Sequence, residues 1–487
     1  MFMALDQGTT SSRAIAFAAD GQVLATAAFS FAQHFPAPGL VEHDAVEIAA
    51  TQRRAMVDAW QQAGGGPVRA VGITNQRETV VVWERATGRP LHRAIVWQDR
   101  RTAATLDRMR QRGDGPRIAE LTGLPLDPYF SAAKIAWLLD QVPGARAAAE
   151  RGEVVAGTID TWLVFTLTGG RVFATEPSNA SRTSLFDRHR GDWSDELCER
   201  FAVPRACLPA LRCSADDFGA TAEHGWPIRG VLGDQQAALF GHGGLVPGAT
   251  KCTYGTGAFL LANAGTSPPA PQHGLLGTVA WRLGDTTTHA LEGSVPICGA
   301  AVQWLRDGLG ILASSAEVEP LARSVPDSGG VVFVPAFAGL GTPHWDADAR
   351  GLLVGLTRGT QRAHIVRATV EAMALQVDDV LAAMQQAQGT ALAELHVDGG
   401  AAANRLLLEL QAALAGIPVV RPALLEATAF GAFAMALLGA GVVAEPSRLP
   451  RLPGGPEVVA AAAALDVAAL RRNWRRAVER TRGWARA

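Results

Sequence analysis

The sequence predicts an α/β chain built as two large domains, and three observations predict it. Its 487 residues exceed the size, about 250–300 residues, at which a single hydrophobic core stops growing. Apolar runs of strand length alternate with stretches of helical periodicity. After Gly257 that alternation resumes, so the second half reads as a re-run of the first. A hydrophobic content of 48% and a charged content of 18% suit a compact fold. The formal net charge of -2 gives no reason to expect nucleic acid or an anionic membrane as partner. No apolar run reaches the roughly 18 residues of a membrane span, and the opening Met-Phe-Met-Ala-Leu-Asp-Gln lacks the blocks of a signal peptide. Five cysteines (Cys198, Cys207, Cys213, Cys252, Cys298) show no C-x-x-C spacing. They read as reduced thiols, so the expected location is the cytoplasm.

In the first half, Phe2–Leu5 is strand-like and runs into Asp6-Gln-Gly-Thr-Thr-Ser-Ser-Arg13. Ala14–Ala18 and Val23–Ala27 flank Asp20-Gly21, a hairpin signal. Such a turn, entered through Gly8 and hydroxyl residues, offers N–H and O–H donors to an anion or is a plain turn. Asp44, with Glu47 three residues on, predicts a capping-box variant at a helix start. Val68–Thr74 is the next strand, followed by Asn75-Gln-Arg-Glu-Thr79. Arg77 and Glu78 there are either a surface loop or a donor fork beside an acceptor, fit for neighbouring hydroxyls of a polyol. Trp97 and Tyr129 read as core aromatics. Lys134 begins a helix, Gly157–Trp162 reads as a turn-rich connection, and Ser178-Asn-Ala-Ser-Arg182 as a polar loop.

The stretch Leu232–Gly257 carries the densest signals. A strand ends at Gly233, and Asp234 follows at a natural N-cap, where backbone N–H groups hold a carboxylate. That is also the edge at which open α/β sheets bind ligands. Gly241–Gly248 is rich in glycine and reads as a passage between domains. Thr253-Tyr-Gly-Thr-Gly257 is a tight turn whose bare backbone could approach phosphate. Caps and ordinary turns are the alternative for each. Further on, Ala290–Pro296 precedes a helix with Gly299 and Gln303, Val331–Ala336 is a strand, and His364–Met384 a long helix. Leu395–Gly400 passes into a helix at Asn404, and its two glycines either let a nucleobase or ribose lie against the chain or make a tight turn. From Ala444 onward the chain reads as a peripheral helical segment, with Arg471–Arg482 as a solvated face.

Taken in order, these pieces resemble the actin/hexokinase/Hsp70 ATPase superfamily, and within it the FGGY family of carbohydrate kinases. Tyr129-Phe-Ser-x-x-Lys134-Ile-x-Trp137-Leu138 is similar to one family signature, and Gly351-Leu-Leu-Val-Gly-Leu356 continuing to Glu371 to the other. Asp6–Arg13, Ile73–Thr79, Asp127–Phe130, Ser178–Arg182, Gly233–Ala238 and Lys251–Gly257 resemble the members that act on glycerol. The resemblance implies two ribonuclease-H-like, actin-like ATPase domains flanking a central nucleotide and substrate cleft. It divides the chain into 1–243, 244–441 and a C-terminal segment 442–487. It implies ATP-dependent phosphorylation of glycerol to sn-glycerol 3-phosphate, glycerol and ATP/ADP as ligands with Mg²⁺, and a homodimer or homotetramer. Asp234 then falls on the general base. Thr9, Arg77, Glu78, Trp97, Tyr129, Asp234, Gln235 and Phe259 fall on the acceptor site. Thr9, Thr10, Ser11, Arg13, Thr256, Gly299, Gln303, Gly400 and Asn404 fall on the nucleotide site, and Asp6 and Asp234 on the metal, Asp6 through water. Where several relatives carry a Gly-Gly-Thr-Arg loop for fructose 1,6-bisphosphate, this chain reads Ala222-Glu-His-Gly-Trp-Pro227. Its glutamate and missing arginine disfavour a bisphosphate, and His224 is read as a surface residue.

Overall fold

The computed structural model describes residues 1–389, 392–424, 426–462 and 465–486. Its first sheet contains β1 (Phe2–Gln7), β2 (Ser11–Phe17), β3 (Val23–Ser30), β4 (Ala70–Asn75) and β5 (Ile228–Gly233), in the spatial order β5-β4-β1-β2-β3. The second contains β6 (Thr250–Tyr254), β7 (Ala258–Gly265), β8 (Leu276–Leu283), β9 (Thr286–Val295), β10 (Leu395–Asp398), β11 (Val419–Pro422) and β12 (Pro456–Val459). Their order is β8-β9-β7-β6-β10-β11-β12. Each sheet begins with an antiparallel meander and continues into parallel strands on the other side of its first strand. The re-run expected from sequence is therefore a repeated sheet topology, extended in the second half by β8 and β12.

The strand pattern explains the layers. Along β1, Met3 and Leu5 face the core under helix α1 (Ala45–Gln62) and α2 (Ile159–Leu167), while Phe2 and Ala4 face the other side. A strand covered on both faces reads as a near-continuous apolar run, as Phe2–Leu5 does, and β1 is buried throughout. Helix α3 (Asp234–Gly241) leaves the end of β5 directly. In the second half, α4 (Gly299–Gln303) and the long α5 (Arg362–Gln388) precede β10, and α6 (Arg405–Ala415) links β10 to β11. The cover on the second face of the first sheet comes from the far end of the chain: α7 (Ala427–Gly439) sets Phe430 and Phe433 against Phe2 and Phe17. Among the described residues no helix is long and apolar enough to cross a membrane.

Several local expectations change. Asp44 accepts from the N–H groups of Val46 and Glu47, but the Glu47 carboxylate reaches Ala32 instead of closing a capping box. Gly157–Trp162 is no turn: a strand, Val154–Thr158, passes straight into α2. Ser178–Arg182 is fully buried and overlaps a helical turn, Pro177–Ala180. The segment after 442 is more than a peripheral helix, because it supplies edge strand β12 and α8 (Val467–Thr481), whose Trp474 joins the second core. Arg471 is likewise no simple solvated face, since it pairs with Asp378 at 2.7 Å.

Helix α7 can sit so close because small residues line its contacts. A Cβ on Gly431 would lie 1.8 Å from the carbonyl oxygen of Ala237 on α3. Alanine is the better helix former by about 1 kcal/mol, yet overpacking against rigid backbone typically costs about 1–3 kcal/mol or more. Gly431→Ala is therefore expected to lower the urea midpoint with little change in slope; an unchanged or raised midpoint contradicts this seating of α7.

Candidate active site

Register places the signalled turns at common edges. In the first sheet Gln7 pairs with Asn75, and Asn75 with Gly233. The turn after β1, the loop after β4 and the start of α3 thus leave the sheet together. In the second sheet Thr253 pairs with Asp398, Tyr254 with Ala258, and Ala258 with Val295. The turn after β6, the start of α4 and the glycines after β10 are brought together in the same way.

Arg77 and Glu78 lie in no surface loop. They are 3% and 2% exposed, and Glu78 adopts φ +61°, a left-handed conformation rare for a side-chain-bearing residue. Arg77 spans a carboxylate of the other half: its Nη1 is 2.5 Å and its Nη2 3.1 Å from the Glu292 oxygens on β9. Arg182 donates to Glu292 at 2.9 Å and to Glu78 at 2.6 Å. Two guanidiniums thus face two carboxylates. Burial pushes the Glu292 carboxyl up, but Arg182 and Arg77 more than offset it and hold it low. At Glu78 burial prevails over the same two arginines and the carboxyl is raised.

Asp234 is the first residue of α3, with Gly233 at the cap position that sequence assigned to the aspartate. Its side chain is 30% exposed, and Oδ1 lies 3.2 Å from Arg77 Nε. Burial raises its carboxyl, while Arg77 and Lys251 draw it down. Gln235 is buried next to it and accepts from Lys251. Tyr129 and Phe259 both meet Trp97 edge-on, at ring separations of 5.5 and 6.1 Å. The three are half-buried and group as an aromatic box about Trp97. Trp97 Nε1 also donates to Thr9 Oγ1 at 3.0 Å, which ties the box to the first turn.

That first turn is closed by the bond from Gly8 N–H to Ser11 O, 2.9 Å, and leaves Thr10 exposed. Arg13 reaches Asp6 and Glu426, each at 2.5 Å. The second turn is closed by the bond from Gly255 N–H to Gly257 O, with Thr256 exposed at its tip. Gly299 must be glycine, since its Cβ would lie 2.5 Å from Gly255 O. Gln303 and Gly400 are exposed, whereas Asn404 accepts from Leu407 N–H as the cap of α6. For magnesium, one Asp6 oxygen is taken by Arg13, and no hydrogen bond engages the other among the described residues. No group of three or more His, Cys, Asp or Glu able to hold a metal occurs among those residues. A lone oxygen donor with a free lone pair fits Mg²⁺, which keeps most of its water, better than ions that need a full protein cage.

Four residues of this arrangement escaped sequence reasoning in these roles: Arg182, Lys251, Glu292 and Glu426. Glu292 interrupts the apolar run Ala290–Val295, and a carboxylate inside a strand of that kind signals a buried partner. Lys251 alternates with core positions on β6. Arg182 and Glu426 carry no comparable local mark.

The model of the FGGY family N-terminal domain matches residues 1–241, and that of its C-terminal domain matches residues 250–440. The chain is 54% identical to glycerol kinase of Alkalilimnicola ehrlichii, with 99% of both chains covered. It is 55% identical to glycerol kinase of Trichlorobacter lovleyi, again over 99% of each. Among solved structures, Plasmodium falciparum glycerol kinase with ADP superimposes with a TM-score of 0.90 at 32% identity, covering 99% of this chain and 98% of that one. A duplicated sheet, a tight turn after the first strand of each sheet and a buried charge cluster joining the halves accompany these matches. The chain belongs to the FGGY family of carbohydrate kinases.

Proposed function

We propose that the chain transfers the γ-phosphoryl group of ATP to glycerol, forming sn-glycerol 3-phosphate, with Asp234 as general base. The observation that carries this reading is a set of contacts around the Trp97–Tyr129–Phe259 group: Glu78 and Arg77 lie beside Tyr129, Arg77 pairs with Asp234, Lys251 joins Gln235 to the Phe259 carbonyl, and Trp97 is bonded to Thr9 of the first turn. Polar groups of both signs beside an aromatic wall suit a short polyol, whose hydroxyls need partners and whose carbons do not. Relatives at 54% and 55% identity carrying the name glycerol kinase support the same acceptor.

In this reading Thr9, Thr10, Ser11 and Arg13 on one side, and Thr256 with Gly299, Gln303, Gly400 and Asn404 on the other, receive the nucleotide. Phosphoryl transfer has a loose transition state, so alignment and charge neutralisation do most of the work. Asp234 accepts a hydrogen bond from a terminal hydroxyl and takes its proton as the oxygen–phosphorus bond forms and ADP leaves. A carboxylate is far too weak a base to ionise an alcohol beforehand, so its first task is to aim the oxygen. Arg77 holds that carboxylate through Nε while its terminal nitrogens are fixed by Glu292. Asp6 and Asp234 are the carboxylates that would hold Mg²⁺, which supplies charge neutralisation at the phosphates. The aromatic box and the closing halves exclude water, the competing acceptor.

ATP consumption measured over glycerol, dihydroxyacetone, erythritol and xylulose is expected to favour glycerol, and preference for another acceptor overturns the substrate assignment. Asp234→Asn is expected to bind ATP normally and to lose about 10²–10⁴-fold in kcat; near-normal turnover removes Asp234 from its role. Glu292→Ala strands two buried guanidiniums and should lower unfolding free energy by about 3–5 kcal/mol. Chemical denaturation that finds no loss would mean the charge cluster is not the support described here.

A further inference from the structure

The chain holds 44 lysines and arginines, yet Lys134 and Lys251 are its only lysines. Both are 0% exposed, and both donate to residues of the proposed acceptor pocket: Lys134 Nζ to the Tyr129 carbonyl at 2.7 Å, Lys251 Nζ to the Gln235 side-chain oxygen. Every other cationic side chain apart from histidine is a guanidinium. A lysine kept where arginine serves everywhere else marks a place that needs a compact, tetrahedral donor instead of a planar fork.

Lys251 has such surroundings. Its nitrogen meets three oxygens: Gln235 Oε1, Thr253 Oγ1 at 2.9 Å and the Phe259 carbonyl at 3.3 Å. An ammonium has three protons and no lone pair, so three acceptors satisfy it. Asp234 and Asp398 lie near enough to favour the charged form, against the burial that disfavours it. The amide of Gln235 has one acceptor end and one donor end, and ordinarily their assignment follows from the surrounding network. Here a pure donor occupies one end.

We propose that Lys251 is a positioning residue for the acceptor: by capturing Oε1 of Gln235 it turns the amide so that Nε2 donates to a substrate hydroxyl. This rests on the glycerol-phosphorylating reading and deepens it. The polarity of the pocket is then set from β6, in the half of the chain that binds nucleotide, although Gln235 belongs to α3. Asp234, Gln235's neighbour, accepts from the same alcohol, so the pair offers one acceptor and one donor to adjacent hydroxyls. Around Asp234 the charged groups are Arg77 from the loop after β4 and Lys251 from β6, with Glu292 on β9 and Asp398 on β10 acting on Lys251.

Gln235→Glu tests the orientation directly, because it keeps an oxygen for Lys251 and replaces the donor end with an acceptor. The expected result is an unchanged melting temperature and ATP KM, with a glycerol KM raised about tenfold or more. If the amide instead offers its oxygen to substrate, Gln235→Glu binds glycerol as the unaltered chain does, and the proposal falls. Should that variant not fold, Lys251→Met answers the same question. It is expected to raise the glycerol KM about tenfold or more and to leave the ATP KM in place. A glycerol KM identical to that of the unaltered chain overturns the proposal. Failure of the unaltered chain to phosphorylate glycerol is a separate outcome, which overturns the function reading and this inference with it.

Discussion

Burying Arg77, Arg182, Glu78 and Glu292 together is tolerable only because each charge has an opposite partner within hydrogen-bond distance. That condition constrains the rest of the molecule. Glu292 comes from the second sheet and the other three from the first half, so the two halves must meet in one register for the pairs to close. Arg77 then has its terminal nitrogens engaged and only Nε left to hold Asp234. The Asp234 carboxylate is thus located by a chain of contacts that begins in the opposite half. Opening the cleft must pivot about this cluster or break it, and breaking it would expose unpaired charges in a partly dry interior.

The duplicated sheet gives the cluster its stage. Both halves place a tight glycine- and hydroxyl-bearing turn where parallel strands end, the edge at which open α/β sheets generally bind ligands. The crossing of α7 onto the first sheet means that the halves of the sequence are not the halves of the solid. Residues as late as Phe433 complete a core begun at Phe2. The first half therefore cannot bury its second face until α7 arrives.

Much of this was legible in the sequence because it depended on local signals. Strand periodicity, the Asp20-Gly21 hairpin and the glycine-rich turns act over a few residues, and each marked a real element. Asp234 stood out because it follows a strand at a sheet edge, even though Gly233 takes the cap. The misreadings share a cause. Arg77, Glu78 and Ser178–Arg182 look like surface loop because polarity is a local property, whereas their burial depends on Glu292, more than a hundred residues away. The segment beyond 442 looked peripheral because an edge strand of four residues has no periodicity to read.

The near absence of lysine leaves the folded surface with almost no primary amine. Guanidiniums stay protonated and inert toward acylating reagents at neutral pH, and both ε-amines are sealed inside. Apart from the terminal amine, the native molecule is thus chemically mute to amine-directed labelling and offers a lysine-specific protease no accessible bond. Acylation at Lys134 or Lys251 would count only those molecules in which the cleft floor has opened, so the chain carries a built-in reporter of its own breathing.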